Sequence, residues 1–130
     1  MKTPVTTLVI VLLLASTAAG TQTPSAIDPC VDGTSPQQMA CAERELREAS
    51  EQLRRTRAQL YADLEPRSRV KLRAAERLWL RYRKTNCEAE ASIYEGGTIQ
   101  PLIELRCTVR LTRERAGELK AQSQTLGGTN

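Results

Sequence analysis

Apolar and small side chains recur in alternating steps of three and four along three separate stretches of this chain. The first runs Met39, Ala42, Leu46, Ala49, Leu53, Thr56, Leu60. The second runs Leu72, Ala75, Trp79, Tyr82, Asn86, Ala89, and the third Leu102, Leu105, Val109, Thr112, Ala116, Leu119. Such steps place every member on one stripe of an α-helix and on no single face of a strand. Each stripe is narrow, so no helix can bury its apolar side alone. The economical fold is all-α, a small antiparallel three-helix bundle. The 130 residues are enough for one domain and not two.

Local signals set the expected boundaries. Ser35 is expected to cap the first helix, with Pro36 at its first position and Gln38 completing a capping box. That helix should end near Leu64, because Pro66 disfavours helical geometry at the residue before it, and Pro66 can open the second helix. Leu78 and Ile93 flank the second stripe, and Gly96-Gly97 stops that helix. Thr98 then caps the third, with Pro101 tolerated in its first turn. Residues 21–34, rich in Thr, Ser, Pro, Asp and Gly, read as a flexible lead-in. Residues 35–121 form the three-helix domain, and 122–130 read as a disordered tail.

The N-terminus has the layout of an export signal. Lys2 is followed by the apolar run Leu8–Ala15 and then by the small residues Ser16 to Gly20. Residues 1–20 are therefore expected to be a signal peptide cleaved near Ala19 or Gly20. The apolar run is too short to cross a bilayer, which takes ~20 residues. No Cys follows the small residues directly, which argues against a lipid anchor. The expected location is periplasmic or secreted. Losing Lys2 leaves 18 basic and 15 acidic side chains, a net of +3.

Export gives the four cysteines their meaning. Cys30, Cys41, Cys87 and Cys107 are an even set in an oxidising compartment, so two disulfides are expected. Cys87 and Cys107 each lie about ten residues from the Gly96-Gly97 turn. At ~1.5 Å rise per residue they reach the same level on neighbouring helices. The preferred pairing is therefore Cys87–Cys107, with Cys30–Cys41 tying the lead-in to the first helix. Joining Cys30 or Cys41 to Cys87 or Cys107 remains an alternative.

Catalysis has little to build on. The chain has no His, which removes Ser-His-Asp and Cys-His chemistry and His-ligated zinc or haem. Glu88, Glu90 and Glu95 near the turn are paired carboxylates in principle, but they share one segment with no cleft. No enzyme activity, metal or cofactor is expected. The fifteen arginines read chiefly as solvated helix faces with Glu partners, Glu51 with Arg55 for example. Their functional reading is a surface for an anionic partner; export argues against nucleic acid. The turn Tyr94-Glu95-Gly96-Gly97-Thr98 is an exposed tip carrying an aromatic, a candidate partner-binding site. Trp79 and Tyr82 are expected to pack the core. Arg83 is expected off the stripe, reaching a carboxylate or backbone carbonyl.

The pattern Leu72-x-x-Ala75-Glu76-x-x-Trp79-x-x-Tyr82-Arg83-x-x-x-Cys87, followed by Tyr94-x-Gly96-Gly97-Thr98 and by Cys107, Arg113 and Leu119, resembles the lysozyme inhibitor LprI-like N-terminal domain family. These are small exported bacterial proteins, helical and cysteine-bonded. The resemblance covers roughly residues 30–121, and its second half is the specific part. The chain departs from the family pattern on the first helix, at Ser50, Arg54 and Arg57, and on the second at Glu76 and Lys84. The resemblance implies binding and inhibition of a lysozyme or another muramidase. Animal-type lysozymes are strongly basic, and the acidic residues Glu88, Glu90 and Glu95 would supply local charge steering. The alternative is a structural or stress-related module of the cell envelope with no lysozyme partner. The sequence leaves the oligomeric state open.

Overall fold

The computed structural model describes residues 28–127. The expected signal peptide, residues 21–27 of the lead-in and residues 128–130 of the tail lie outside them. The described chain forms three helices: α1 Ser35–Asp63, α2 Pro66–Ser92 and α3 Gln100–Gly127.

The cap of α1 sits one residue earlier than expected. Thr34 is the N-cap, with extended φ −63° and ψ 157°, and its backbone N–H donates to Gln37 Oε1 at 2.8 Å. Gln38 does not complete the box because it is used elsewhere. Its Nε2 donates to the carbonyls of Val31 and Gly33, both at 2.9 Å. The described part of the lead-in is thus a bonded turn, not a loose strand. Val31 and Asp32 donate back to the Asp28 carbonyl, and Arg106 of α3 donates to the Cys30 carbonyl at 3.0 Å.

α1 buries the expected stripe: Ala42, Ala49, Leu53, Thr56 and Leu60 are buried, Met39 and Leu46 half-buried. Glu65 is extended (φ −63°, ψ 153°), as a residue before proline prefers, and Pro66 opens α2. Arg69 ties this corner, donating to the carbonyls of Leu64 at 2.7 Å and Ala62 at 3.3 Å. These are α1 carbonyls left without helical partners.

At the other end α2 stops at Ser92, and a bonded turn runs to α3. The third helix begins at Gln100, so Thr98 is not its cap. The first helical bond runs from Ile103 to the Ile99 carbonyl, which places the cap at Ile99. Gly96 has φ +78°. A Cβ there would meet nothing within 4 Å, so Gly96→Ala is expected to cost only the left-handed backbone term, ~1–2 kcal/mol in chemical denaturation.

α3 packs along both other helices, whereas α1 and α2 make few direct contacts. Gln38, Glu45 and Asp63 of α1 meet Arg106, Arg113 and Ser123 of α3 in ascending order, so these two helices run parallel. Glu76, Arg83 and Glu90 of α2 meet Arg115, Thr112 and Arg110 in descending order, so α2 is antiparallel to α3. The core is Leu53, Leu60, Leu72, Ala116 and Leu119, with Tyr61, Leu64 and Trp79 packed around it. A second cluster holds Cys87, Cys107 and Leu111.

Both preferred disulfides are present, Cys30–Cys41 and Cys87–Cys107, with Cα separations of 5.5 and 5.4 Å. They flank α3 at the same end of the bundle, since Arg106 touches Cys30 and Cys107 is its neighbour. The tail differs from expectation: α3 continues to Gly127, and buried Ser123 donates to Asp63 Oδ2 at 3.2 Å. Ser123 extends the stripe by one further step of four beyond Leu119, which keeps this stretch docked.

Candidate functional site

The second helix is rotated from its expected setting. Its inward side chains are Leu72, Glu76, Trp79, Arg83, Cys87 and Ala91; Ala75, Tyr82 and Ala89 face solvent. The inward series is as regular as the expected one, and two of its positions are charged. α3 supplies what makes those charges tolerable. Arg115 donates to Glu76 Oε1 from Nε at 3.0 Å and from Nη2 at 2.7 Å. Arg83 donates to Thr112 Oγ1 at 2.8 Å, and its guanidinium lies 5.0 Å from the Trp79 ring centroid. So Arg83 lies on the inward stripe and reaches a hydroxyl, not a carboxylate or carbonyl. Burial lowers its pKa from the ordinary guanidinium value.

The rotation leaves an apolar ridge in solvent. Leu78, Tyr82, Ala89 and Ile93 share one side of α2; Tyr82 is 55% exposed and Ile93 79%. The ridge runs up to the tip, where Tyr94 and Ile99 are each 45% exposed. Glu95, Gly96, Gly97 and Thr98 are exposed as well. The tip is held by its own backbone: Tyr94 donates to Ala91, Glu95 to Ser92, Gly97 to Tyr94 and Gln100 to Gly97. The Cys87–Cys107 bridge closes the two helices beneath it. The expected acidic character of this end is largely neutralised. Glu88 pairs with Lys84 and Glu90 with Arg110, which leaves Glu95.

Two concavities lie nearer the other end. One of about 590 Å³ is chiefly apolar, lined by Leu60, Leu64, Leu72, Ala75 and Leu126 together with Arg115 and Lys71. The other, about 420 Å³, lies between α1 and α2 and is lined by Arg57, Tyr61, Leu72, Arg73, Glu76, Arg77 and Leu80. The Glu76–Arg115 pair stands between them, each residue lining one. Sequence reasoning missed both, and the buried pair too. The only local signal was that Leu72, Glu76, Trp79, Arg83 and Cys87 also step by three and four.

Among the described residues no helix is long and apolar enough to cross a membrane, and no cluster of Cys, Asp or Glu could hold a metal ion. The two disulfides suit an oxidising compartment outside the cytoplasm.

Comparison with known proteins adds a family. An uncharacterised protein, R02472 of Rhizobium meliloti (strain 1021), is 39% identical over 49 residues, covering 38% of this chain and 35% of that protein. The chain thus spans about a third of this relative's length. No solved structure matches. The family described as lysozyme inhibitor LprI matches residues 30–119, from the first cysteine of the bonded lead-in turn to the last core leucine of α3. With that match over most of its length, the chain belongs to the lysozyme inhibitor LprI family.

Proposed function

We propose that this protein is an exported, non-enzymatic binding protein that occludes a lysozyme or a related muramidase through the tip between α2 and α3. Its family supplies the activity. The observation that carries the choice of surface is the tip: Ile93, Tyr94 and Ile99 are exposed on a turn that backbone hydrogen bonds and a disulfide hold in place. A preorganised apolar anchor loses little entropy on binding, and a tyrosine adds a polar end to an apolar body. The ridge of Leu78 and Tyr82 extends the contact along α2. With Glu88 and Glu90 already paired, binding relies on shape and apolar burial more than on charge steering.

The test is titration of the oxidised mature protein against a lysozyme panel at low and physiological salt, with muramidase activity read in parallel. A saturable one-to-one complex that blocks activity is expected, and Tyr94→Ala should weaken it about tenfold or more, the loss of one central aromatic anchor. The absence of binding at micromolar concentration would sink this reading.

A second reading, an envelope module with no lysozyme partner, has one observation in its favour: the arginine-lined groove between α1 and α2. Such a module would bind anionic envelope polymers, with an affinity that fades as salt rises.

A further inference from the structure

We propose that the groove between α1 and α2 is a binding site for an acidic glycan, a polymer whose sugar units carry carboxylates. This rests on the anionic-polymer affinity of the second reading, and it neither needs nor excludes a partner at the tip.

Arg57, Arg73 and Arg77 converge on one groove from two helices. Among the described residues none of the three has a carboxylate in ion-pair range; other arginines, Arg47 and Arg67 among them, are also unpaired, and what sets these three apart is that they line one groove. Arg69, which is held on the Leu64 and Ala62 carbonyls and does not line the groove, has its guanidinium carbon 5.7 Å from the Tyr61 ring centroid; that of Arg73 is 5.6 Å away. Tyr61 therefore holds two guanidinium groups within cation–π range of one ring beside the groove. The one acid in the groove wall, Glu76, is paired through Oε1 with Arg115 of α3 and with none of these three arginines. The guanidinium fork matches a carboxylate with two parallel N–H donors, so such a cluster gains when an anion arrives.

The walls decide which anion. Leu72 and Leu80 line the groove beside the arginines. Its volume of about 420 Å³ falls within the ~300–1,000 Å³ usual for small-ligand sites. A sugar ring offers C–H faces to the leucines and tyrosine while its carboxylate meets a guanidinium. Inorganic polyphosphate has a charge on every unit and no apolar face, so it leaves half of the groove unsatisfied. A flat lipid surface cannot enter a concavity between two helices.

The experiment uses the oxidised mature protein and three probes: a labelled oligogalacturonate, an uncharged chito-oligosaccharide and inorganic polyphosphate. Each is titrated by fluorescence anisotropy or competition at low and physiological salt. Oligogalacturonate is expected to bind and to lose affinity as salt rises. Arg73→Glu/Arg77→Glu should weaken it by at least about tenfold, the loss of two charge-assisted contacts. Arg47→Glu/Arg67→Glu makes the same net-charge change on exposed residues that line no part of the groove, and should leave binding within about threefold. Because Arg73 also stacks on Tyr61, Arg57→Gln and circular dichroism guard against a folding defect; Arg57→Gln should weaken binding by a smaller factor. Equal losses in both double variants would overturn the groove while leaving the envelope reading alive. Tighter binding of polyphosphate would overturn the glycan assignment. No binding of any anion would overturn the groove and the envelope reading together.

Discussion

Replacing Cys87 and Cys107 together by alanine is expected to lower the stability of the domain by about 3 kcal/mol or somewhat more. The bridge closes a separation of 20 residues, and loop entropy of that size corresponds to ~3 kcal/mol of destabilisation on removal. Packing adds to it, because both cysteines are only 1% exposed and touch Leu111. For a domain of this size the melting temperature should fall by roughly 15–25 °C. The Cys30–Cys41 bridge has a separation of 11 and differs little in loop entropy alone. Cys30 is only half-buried, though, and Gln38 and Arg106 hold the same turn by hydrogen bonds. Cys30→Ala/Cys41→Ala should therefore be the milder change. Thermal unfolding followed by far-UV circular dichroism checks both, and a Cys30–Cys41 variant that melts lower would overturn this ranking. The Cys87–Cys107 variant should also lose tip-dependent partner binding, because the bridge closes the hairpin on which the tip stands.

Arg115→Ala is expected to destabilise by about 3 kcal/mol, since removing one partner leaves a buried charge without compensation. The side chains of Arg115 and Glu76 are only 13% and 9% exposed. Burial alone would lower the Arg115 pKa, but hydrogen bonds to Glu118 and Glu76 outweigh it and raise the pKa above the ordinary guanidinium value. The two single variants should not be equal. Glu76→Ala leaves Arg115 with Glu118 at 2.9 Å, whereas Arg115→Ala leaves Glu76 with no cation in ion-pair range among the described residues. Arg115→Ala should be the worse of the two by about 1 kcal/mol or more. The double change Glu76→Leu/Arg115→Met should recover much of the loss, because apolar replacements of similar volume often match a buried ion pair. Urea denaturation of the wild type, the two single variants and the double variant makes the comparison. Equal single effects, or a double variant as unstable as Arg115→Ala, would show that the pair is not the cause.

The α2 helix marks where local reading stops being sufficient. Its Leu72, Ala75, Trp79, Tyr82 series and its Leu72, Glu76, Trp79, Arg83 series both satisfy helical spacing. Apolarity favours the first; the helix adopts the second. The choice rests on three partners on α3, namely Cys107, Thr112 and Arg115. None of them is visible from α2 itself. The same rotation turns Tyr82 from an expected core residue into part of an exposed ridge, with Leu78, beside Tyr94. The candidate tip was legible because Gly96-Gly97 marks a turn wherever the helices go. The arginine groove was not, because Arg57 and Tyr61 lie on one helix and Arg73 and Arg77 on another.

Helix count, the inward stripes of α1 and α3 and a preference for the observed cysteine pairing could all be read from the sequence. Each follows from properties that act over a few residues: a period of 3.6, the conformational limits of Pro and Gly, and a fixed rise per residue from a known turn. Azimuth was decided only by tertiary structure: which side of α2 faces α3, which charges become buried partners, and which arginines are left facing one another. The reason is that rotating a helix about its axis changes no local hydrogen bond. Its setting is determined by the groups that meet it from other helices, here a sulfur, a hydroxyl and a guanidinium.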